Sequence, residues 1–495
     1  MRKKALRFND LDNVAVVLDG LQAGDQILVN DQPAAISAGE GVPVGHKIAL
    51  AAIAAGEPVC KYGHLIGLAT EHIPAGGYVH SHNLREPEVQ RQELALGGSA
   101  KIAAECNLTE LPQLSGYRRC NGQLGFRNHL LILSTVVCAN QIVQDYGAAH
   151  RDAVTITNPS GCIILPEEAA QLRAMLLGLA RNPNIGAVIF VGLGCESTEA
   201  EWFYEQVQAE KPAAFIRQQS EHSSGQAYAK LETMAADLQQ KLAAQRREPA
   251  SLADVRLGTE CGGSDWTTAI VSNPAIGYVS DLVVKNGGIS LLGETVGWFG
   301  GEAALLKQAR NPQVAGDIVS LLDRVYHRAR AMGRRIEEGN PSPGNRAGGL
   351  STLAEKALGN VRKGGTAPIE GVLAVAEQPA GKGLYVLDNA GLDPVSLLQL
   401  TASSANIILF STGRGTPVGT PLAPAIKLTG SPEAVACFGV HLDVDLSPVI
   451  TGGMSMAAAG QALFETMLAV AEGRLTAAER FGHREYAFPL MMGVL

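Results

Sequence analysis

Residues 259–302 read TECGGSDWTTAIVSNPAIGYVSDLVVKNGGISLLGETVGWFGGE, and the fold turns on how this stretch is parsed. Val283–Leu292 is an apolar run, a Gly-Gly turn and a second apolar run, ending at Gly293-Glu294. An acid at the end of a buried strand is where open α/β sheets place their chemistry. Upstream, Cys261-Gly262-Gly263-Ser264-Asp265 lets the backbone approach a ligand closely, because glycine has no Cβ and reaches positive φ. Thiol, hydroxyl and carboxylate are then expected to face one small space, with Asn273-Pro274 forming a turn beyond it. A tight turn that merely carries Cys and Asp is the competing reading.

The whole chain fits that class. Its 495 residues predict two to four domains. A hydrophobic fraction of 46% with 5% aromatics and 56 glycines suits a soluble α/β protein rich in tight turns. The net charge of −8 and the lack of a dense Lys/Arg block argue against a nucleic-acid surface. The first twenty residues hold no continuous apolar segment of the signal-peptide kind. No uncharged apolar run reaches the ~18 residues of a membrane span. The eight cysteines (60, 106, 120, 138, 162, 195, 261 and 437) have no CxxC spacing, which favours reduced thiols and a cytoplasmic location.

Three regions follow one another. Residues 13–90 hold short β-like runs broken by glycine (NVAVVL, IALAAI, VCKYGHLIGLAT, YVHSHN) and predict a small β-rich domain. Residues 91–115 are polar and irregular and read as a linker. Over 116–249 the runs HLLILST, AVTIT, AVIFVG and AAFIR alternate with helical patterns, as in a parallel α/β sheet. A second α/β domain over 250–495 resumes with ISLLGE, GVLAVAE, LYVLDN, NIILFST and AIKLTG.

Candidate ligating groups sit in all three. His80 and His82 are two apart, so on a strand they share a face, as one third to one half of a Zn or Fe site; a solvent-exposed pair is the alternative. Arg127 and Asn128 stand at a strand entrance, where they could clamp a carboxylate or only tie a turn. Cys138, Cys162 and Cys195 each follow an apolar run or glycine turn and can converge at strand ends, where thiolates would favour Fe(II) or Zn. Arg414 and Thr416 lie in the loop STGRGTP, and Lys427 on a strand, as further anion-binding candidates.

The strings VHSHN, GYRRCNGQLGFRN, VGLGCE, CGGSDWTTAIVSNPAIGYVSD, NGGISLLGE, NPSPGNRAGGLSTLAEKALGNVRKGG and FSTGRGTP…PAIKL resemble, in that order, the altronate/galactarate dehydratase family. That resemblance implies an N-terminal SAF-like (β-clip) domain followed by two α/β domains with largely parallel sheets. It implies dehydration of an aldonate or aldarate to a 2-keto-3-deoxy acid, with a divalent metal, Fe(II) first and Mn(II) or Zn(II) as alternatives. It also implies a homo-oligomer, a dimer being common. Departures occur at Asn158, where the family has histidine before Gly-Cys, and at Val296-Gly297, where it has Pro-Glu.

Elementary chemistry then distributes the expected roles. The proton beside a carboxylate is weakly acidic, so a base must remove it while the enediolate is stabilised and an acid protonates the departing C3 hydroxyl. His80, His82 and Cys162 are expected at the metal. Asp265, Glu294 and Cys261 are expected at the proton transfers. Arg127, Asn128, Ser264, Arg414, Thr416 and Lys427 are expected around the substrate. Two rival readings are a C–S lyase acting on sulfolactate and a sugar-acid-binding protein without turnover.

Overall fold

The computed structural model describes residues 2–87, 101–102, 108 and 110–489. Much of the linker expected over 91–115 lies outside these residues; from Leu114 the chain is already in a strand.

The N-terminal unit is all β and begins at Arg2, ahead of the expected Asn13. Its strands are β1 (Arg2–Leu6), β2 (Val14–Val17), β3 (Gln26–Val29), β4 (Gln32–Ser37), β5 (Lys47–Ala49), β6 (Pro58–Lys61), β7 (His64–Ala69), β8 (Tyr78–Val79) and β9 (Leu84–Arg85). They form one sheet in the order β4-β3-β1-β2-β5-β8 and a smaller one, β6-β7-β9. All pairs are antiparallel except β1 with β3. Strands this short suit a unit whose turns are set by glycines such as Gly24, Gly45, Gly56 and Gly76, all at positive φ.

Strands β10 (Leu114–Arg118) and β11 (Leu124–Gly125) open the next unit, and β10 pairs both with β11 and with β16 (Glu248–Ala250), which closes it. Between them β12 (His129–Ser134), β13 (Val154–Ile156), β14 (Ile185–Gly192) and β15 (Ala213–Arg217) build an all-parallel sheet, ordered β13-β12-β14-β15. Every residue of β14 is buried, because helices cover both faces. Leu172, Leu176 and Phe203 pack on one side; Val143, Tyr146, Leu231 and Leu238 pack on the other.

The third unit repeats the scheme at larger scale. Strands β17 (Arg256–Gly262), β18 (Ile289–Leu292), β19 (Ile369–Leu373), β20 (Gly383–Leu387), β21 (Ile407–Thr412), β22 (Ala425–Thr429) and β23 (Val444–Asp445) form a parallel sheet ordered β19-β20-β18-β17-β21-β22-β23. The chain steps from β17 to β18 on one side and returns with β21 on the other, so β17 is central. The turn expected at Asn273-Pro274 is instead helical: Pro274 starts the helix Asn273–Lys285, directly after a widened π-turn over Thr268–Ser272. Pro in the first helical turn lacks only an N–H that has no partner there anyway.

Buried asparagines weld the two parallel-sheet units. Asn182 Nδ2 donates to the carbonyls of Thr401 and Ala405, both at 2.8 Å. Asn184 Nδ2 donates to Asn406 (3.0 Å) and Leu422 (3.1 Å), and Asn406 Nδ2 donates back to Leu124 (2.9 Å). Leu398, Ala402 and Leu422 of the third unit complete the core of the second.

The N-terminal unit meets the third unit at near-contact. A Cβ on Gly45, at φ +81°, would lie 2.0 Å from Trp266 Cδ1. Gly45→Ala is therefore expected to destabilise the protein by roughly 2–4 kcal/mol, through overpacking and a left-handed backbone. Gly24→Ala, also at positive φ but with nothing within 4 Å, should cost only about 1 kcal/mol. Urea midpoints of the two variants would check the difference.

Candidate active site

The carboxyl ends of β17, β18 and β20 open into a cavity of about 390 Å³. β17 delivers Glu260, Cys261 and Gly262. Alternation along the strand sends Glu260 to the opposite face from Cys261, where it accepts a hydrogen bond from Ser396. β18 ends at Leu292, and two residues later Glu294 sits in the left-handed region at φ +67°. A non-glycine residue is held there only when its surroundings dictate it. Here Glu294 Oε2 accepts from Cys261 N (3.1 Å) and Cys261 Sγ (3.2 Å), and pairs with Lys363 Nζ. The Glu294 N–H reaches Asn389 Oδ1 at 3.3 Å.

Lys363 is fully buried in the turn Val361–Gly364. Burial alone would lower its pKa, but the Glu294 carboxylate paired with it holds the ammonium above its usual range. The same crowding acts on the neighbours. Burial, then Glu294, pushes Glu260 well above the carboxylate range. Burial and Glu294 push the Cys261 thiol up to about 12 and raise Asp393 to about 6. Gly262 makes this approach possible: a Cβ there would lie 2.2 Å from Asp393 Oδ2.

A loop after the cis Asn340-Pro341 bond supplies the facing wall. Lys356 Nζ donates to Asn340 Oδ1 (2.7 Å) and Asn345 Oδ1 (3.2 Å), while Asn345 Nδ2 donates to the Ser264 carbonyl (2.8 Å). The cavity is thus lined by carboxyls, a thiol and the Lys356 ammonium, with the buried Lys363 ammonium paired to Glu294, a set suited to binding an anion and moving protons.

Of the residues expected from sequence, Cys261, Ser264 and Glu294 line the cavity together, with Ser264 Oγ donating to Cys261 Sγ at 3.4 Å. Asp265 turns away to cap the following helix: its Oδ1 accepts from Thr267 N, Thr267 Oγ1 and Thr268 N at 2.7–3.1 Å. Arg414 is exposed, with Nη1 on the Gly344 carbonyl at 3.2 Å. Thr416 Oγ1 accepts from Val418 N, and Lys427 Nζ donates to the Pro417 (2.6 Å) and Val418 (3.2 Å) carbonyls, bracing that same loop from behind.

Arg127 and Asn128 are brought elsewhere. The Arg127 guanidinium grips Glu479 through Nε (2.6 Å) and Nη2 (3.0 Å), and its remaining donors cap the carbonyls of Phe126, Val470 and Arg474. Asn128 bonds Arg119 and the Leu242 carbonyl. Both are spent on joining chain segments. Cys138, Cys162 and Cys195 do follow β12, β13 and β14, in the other parallel sheet, with Cys162 half-buried and the other two exposed.

The histidines part company because β8 stops at Val79. Asn83 closes a turn by accepting from His80 N and donating to the Tyr78 carbonyl, so His80 is buried and His82 exposed. Among the described residues, no three His, Cys, Asp or Glu side chains converge as a ligand set for a metal ion. In the cavity, Glu294 is neutralised by Lys363 and Cys261 keeps its proton, whereas a metal takes the thiolate. The residues present do not by themselves fit a resident Fe(II), Mn(II) or Zn(II).

Sequence reasoning missed Glu260, Lys356, Lys363 and Asp393. All but Glu260 and Asp393 fall in the string NPSPGNRAGGLSTLAEKALGNVRKGG, whose lysines look solvent-facing from composition alone. The two departures separate as well: Val296 and Gly297 line the cavity, whereas Asn158 is buried in the second unit with Nδ2 on the Thr135 carbonyl at 2.7 Å.

Three family models match in succession. An altronate/galactarate dehydratase SAF domain covers residues 3–87, and the second domain of D-galactarate dehydratase/altronate hydrolase covers 116–243. The C-terminal domain of D-galactarate/altronate dehydratase covers 252–492. The altronate dehydratase of Escherichia coli is 34% identical over 97% of this chain and 98% of its own. The galactarate dehydratase (L-threo-forming) of that organism is 30% identical over 95% and 93%. Subunit beta of the (2R)-sulfolactate sulfo-lyase of Chromohalobacter salexigens is 33% identical over 75% of this chain and 95% of its own; subunit alpha is 32% identical over 14% and 79%.

The buried Lys363–Glu294 pair at the cavity wall gives a direct test. Lys363→Met should cost roughly 3–5 kcal/mol, because Glu294 is left buried without its counter-charge. Adding Glu294→Gln should restore part of that loss, as read from denaturation midpoints of the single and double variants.

Proposed function

The chain belongs to the altronate/galactarate dehydratase family of hydro-lyases, and we propose that it converts an aldonate or aldarate of the altronate or galactarate kind to a 2-keto-3-deoxy acid. The observation that carries this reading is the convergence of Glu294, Asp393 and Cys261 on one buried ammonium, Lys363, at the strand ends. Such a site can withdraw a proton from carbon and stabilise the charge left behind.

Asp393, with a pKa near 6, is ionised at neutral pH and takes the C2 proton. Lys356, held by Asn340 and Asn345, meets the substrate carboxylate. Lys363 faces the negative charge that grows on that carboxylate as the C2–H bond breaks. The C3–O bond then breaks, and the departing hydroxyl takes its proton from the Cys261–Glu294–Lys363 chain, leaving as water. The enol left behind becomes the 2-keto acid by giving up its O–H proton and gaining one at C3, and the proton on Asp393 balances the one that left with water. Val296 and Gly297 make one wall small and weakly polar, which bears on which sugar acid is accepted.

The match to both sulfo-lyase subunits supports one rival, in which the same C2 proton is removed but sulfite leaves. Purified protein, kept anaerobic and assayed with Fe(II), Mn(II), Zn(II) or a chelator, should form a 2-keto acid from at least one aldonate or aldarate in a panel. Sulfite released from sulfolactate, with no sugar acid consumed, would transfer the assignment to that rival.

The base assignment has its own signature. kcat/KM should rise about tenfold per pH unit below 6 and level off above it, since the raised Asp393 must ionise to act. Asp393→Asn should lower kcat by about 10²-fold or more and abolish that limb of the profile. An unchanged profile in the variant would remove Asp393 from the role.

A further inference from the structure

The N-terminal unit packs on the catalytic body at Trp266 and Leu358, and it grips one segment, residues 346–355, with buried charge. Lys47 Nζ and Lys61 Nζ both reach the Glu355 carboxylate, at 2.8 and 2.7 Å, and all three side chains are fully buried. Burial would push Glu355 up, but the two ammonium groups hold it well below the carboxylate range. Around this triad the N-terminal unit collects carbonyls at the end of the short helix Pro343–Ala347. His80 Nε2 lies 3.1 Å from Arg346 O, His46 Nε2 lies 3.3 Å from Ala347 O, and Lys47 Nζ donates to Gly349 O at 3.0 Å. The two imidazoles stack at 4.7 Å, and Tyr78 Oη reaches His46 Nδ1 at 2.7 Å, leaving Nε2 of His46 to donate. Thr352 Oγ1 donates to Ile66 O (2.6 Å) and Leu353 N to Glu86 Oε1 (2.6 Å).

The other end of that short helix is at the cavity wall, where Ser342 and Asn345 sit. A helix end whose last carbonyls lack partners frays; here the partners come from the N-terminal unit. The sulfo-lyase relative has two subunits whose matches, 74 and 388 residues, correspond in size to this unit and to the remainder. A unit of this size and the remainder are thus separate chains in that relative.

We propose that the N-terminal unit acts as a built-in subunit, docked by its own interface independently of the connecting chain, and that His46, His80 and Lys47 position the loop that walls the active site. The docking half is independent of the reaction assigned above; the effect on turnover rests on it.

The test uses the full chain with a protease recognition sequence replacing residues 92–98, cut after purification. The two pieces should co-elute in gel filtration at micromolar concentration, with turnover within about twofold of the uncut protein. Separation of the pieces would overturn the docking. In the uncut protein, His80→Ala should speed amide exchange at residues 344–350 by tenfold or more while strand β17 is unchanged. It should raise KM more than it lowers kcat. Unaltered exchange there would overturn the positioning role whatever the substrate proves to be, because neither elution nor exchange depends on turnover.

Discussion

Placing an ammonium group in a protein interior costs several kcal/mol unless opposite charge and hydrogen bonds meet it there. Lys363 imposes that constraint on everything around it. Glu294 must bring a carboxylate to it, which requires the left-handed backbone at that position and the Asn389 hydrogen bond that holds it. Gly262 must lack a Cβ so that Asp393 can come close. Glu260, one residue before Cys261, is pushed well above the carboxylate range by burial and by the charge of Glu294. Each of these is a local oddity when taken alone. Together they are the conditions under which one buried cation is stable.

That logic also explains what could be read in the primary sequence. The strands were legible because buried parallel strands are continuous apolar runs: HLLILST, AVIFVG, ISLLGE, LYVLDN, NIILFST and AIKLTG all fall on observed strands. Cys261, Ser264 and Glu294 were legible because they stand next to glycines at strand ends. Lys356 and Lys363 were not, since nothing in a one-dimensional pattern distinguishes a lysine facing solvent from one aimed into a cavity. Arg127 was misjudged for a related reason. A guanidinium suited to a substrate carboxylate is equally suited to Glu479, 352 positions further along. The histidine pair was read through strand alternation, and the strand ends one residue too early for that to apply.

The two departures from the family pattern gain different weight once placed. Asn158 closes a loop in the second unit, taking Thr135 and Asn140 as partners, and has become part of the framework there. Val296 and Gly297 face the cavity, and a side chain at Gly297 would run into Asn360 Nδ2. Substitution at the first position alters loop packing; substitution at the second alters the shape that a substrate meets.

The asparagine amides between the two parallel-sheet units bear on how the enzyme breathes. Each spans the boundary with paired donations to buried carbonyls, and the two sheets share apolar side chains behind them. A boundary stitched in this way does not hinge. The enzyme is thus not a clam with two lobes that swing apart over its reactants. Any opening of the cavity falls to its rim, because the two sheets behind it are tied into one frame.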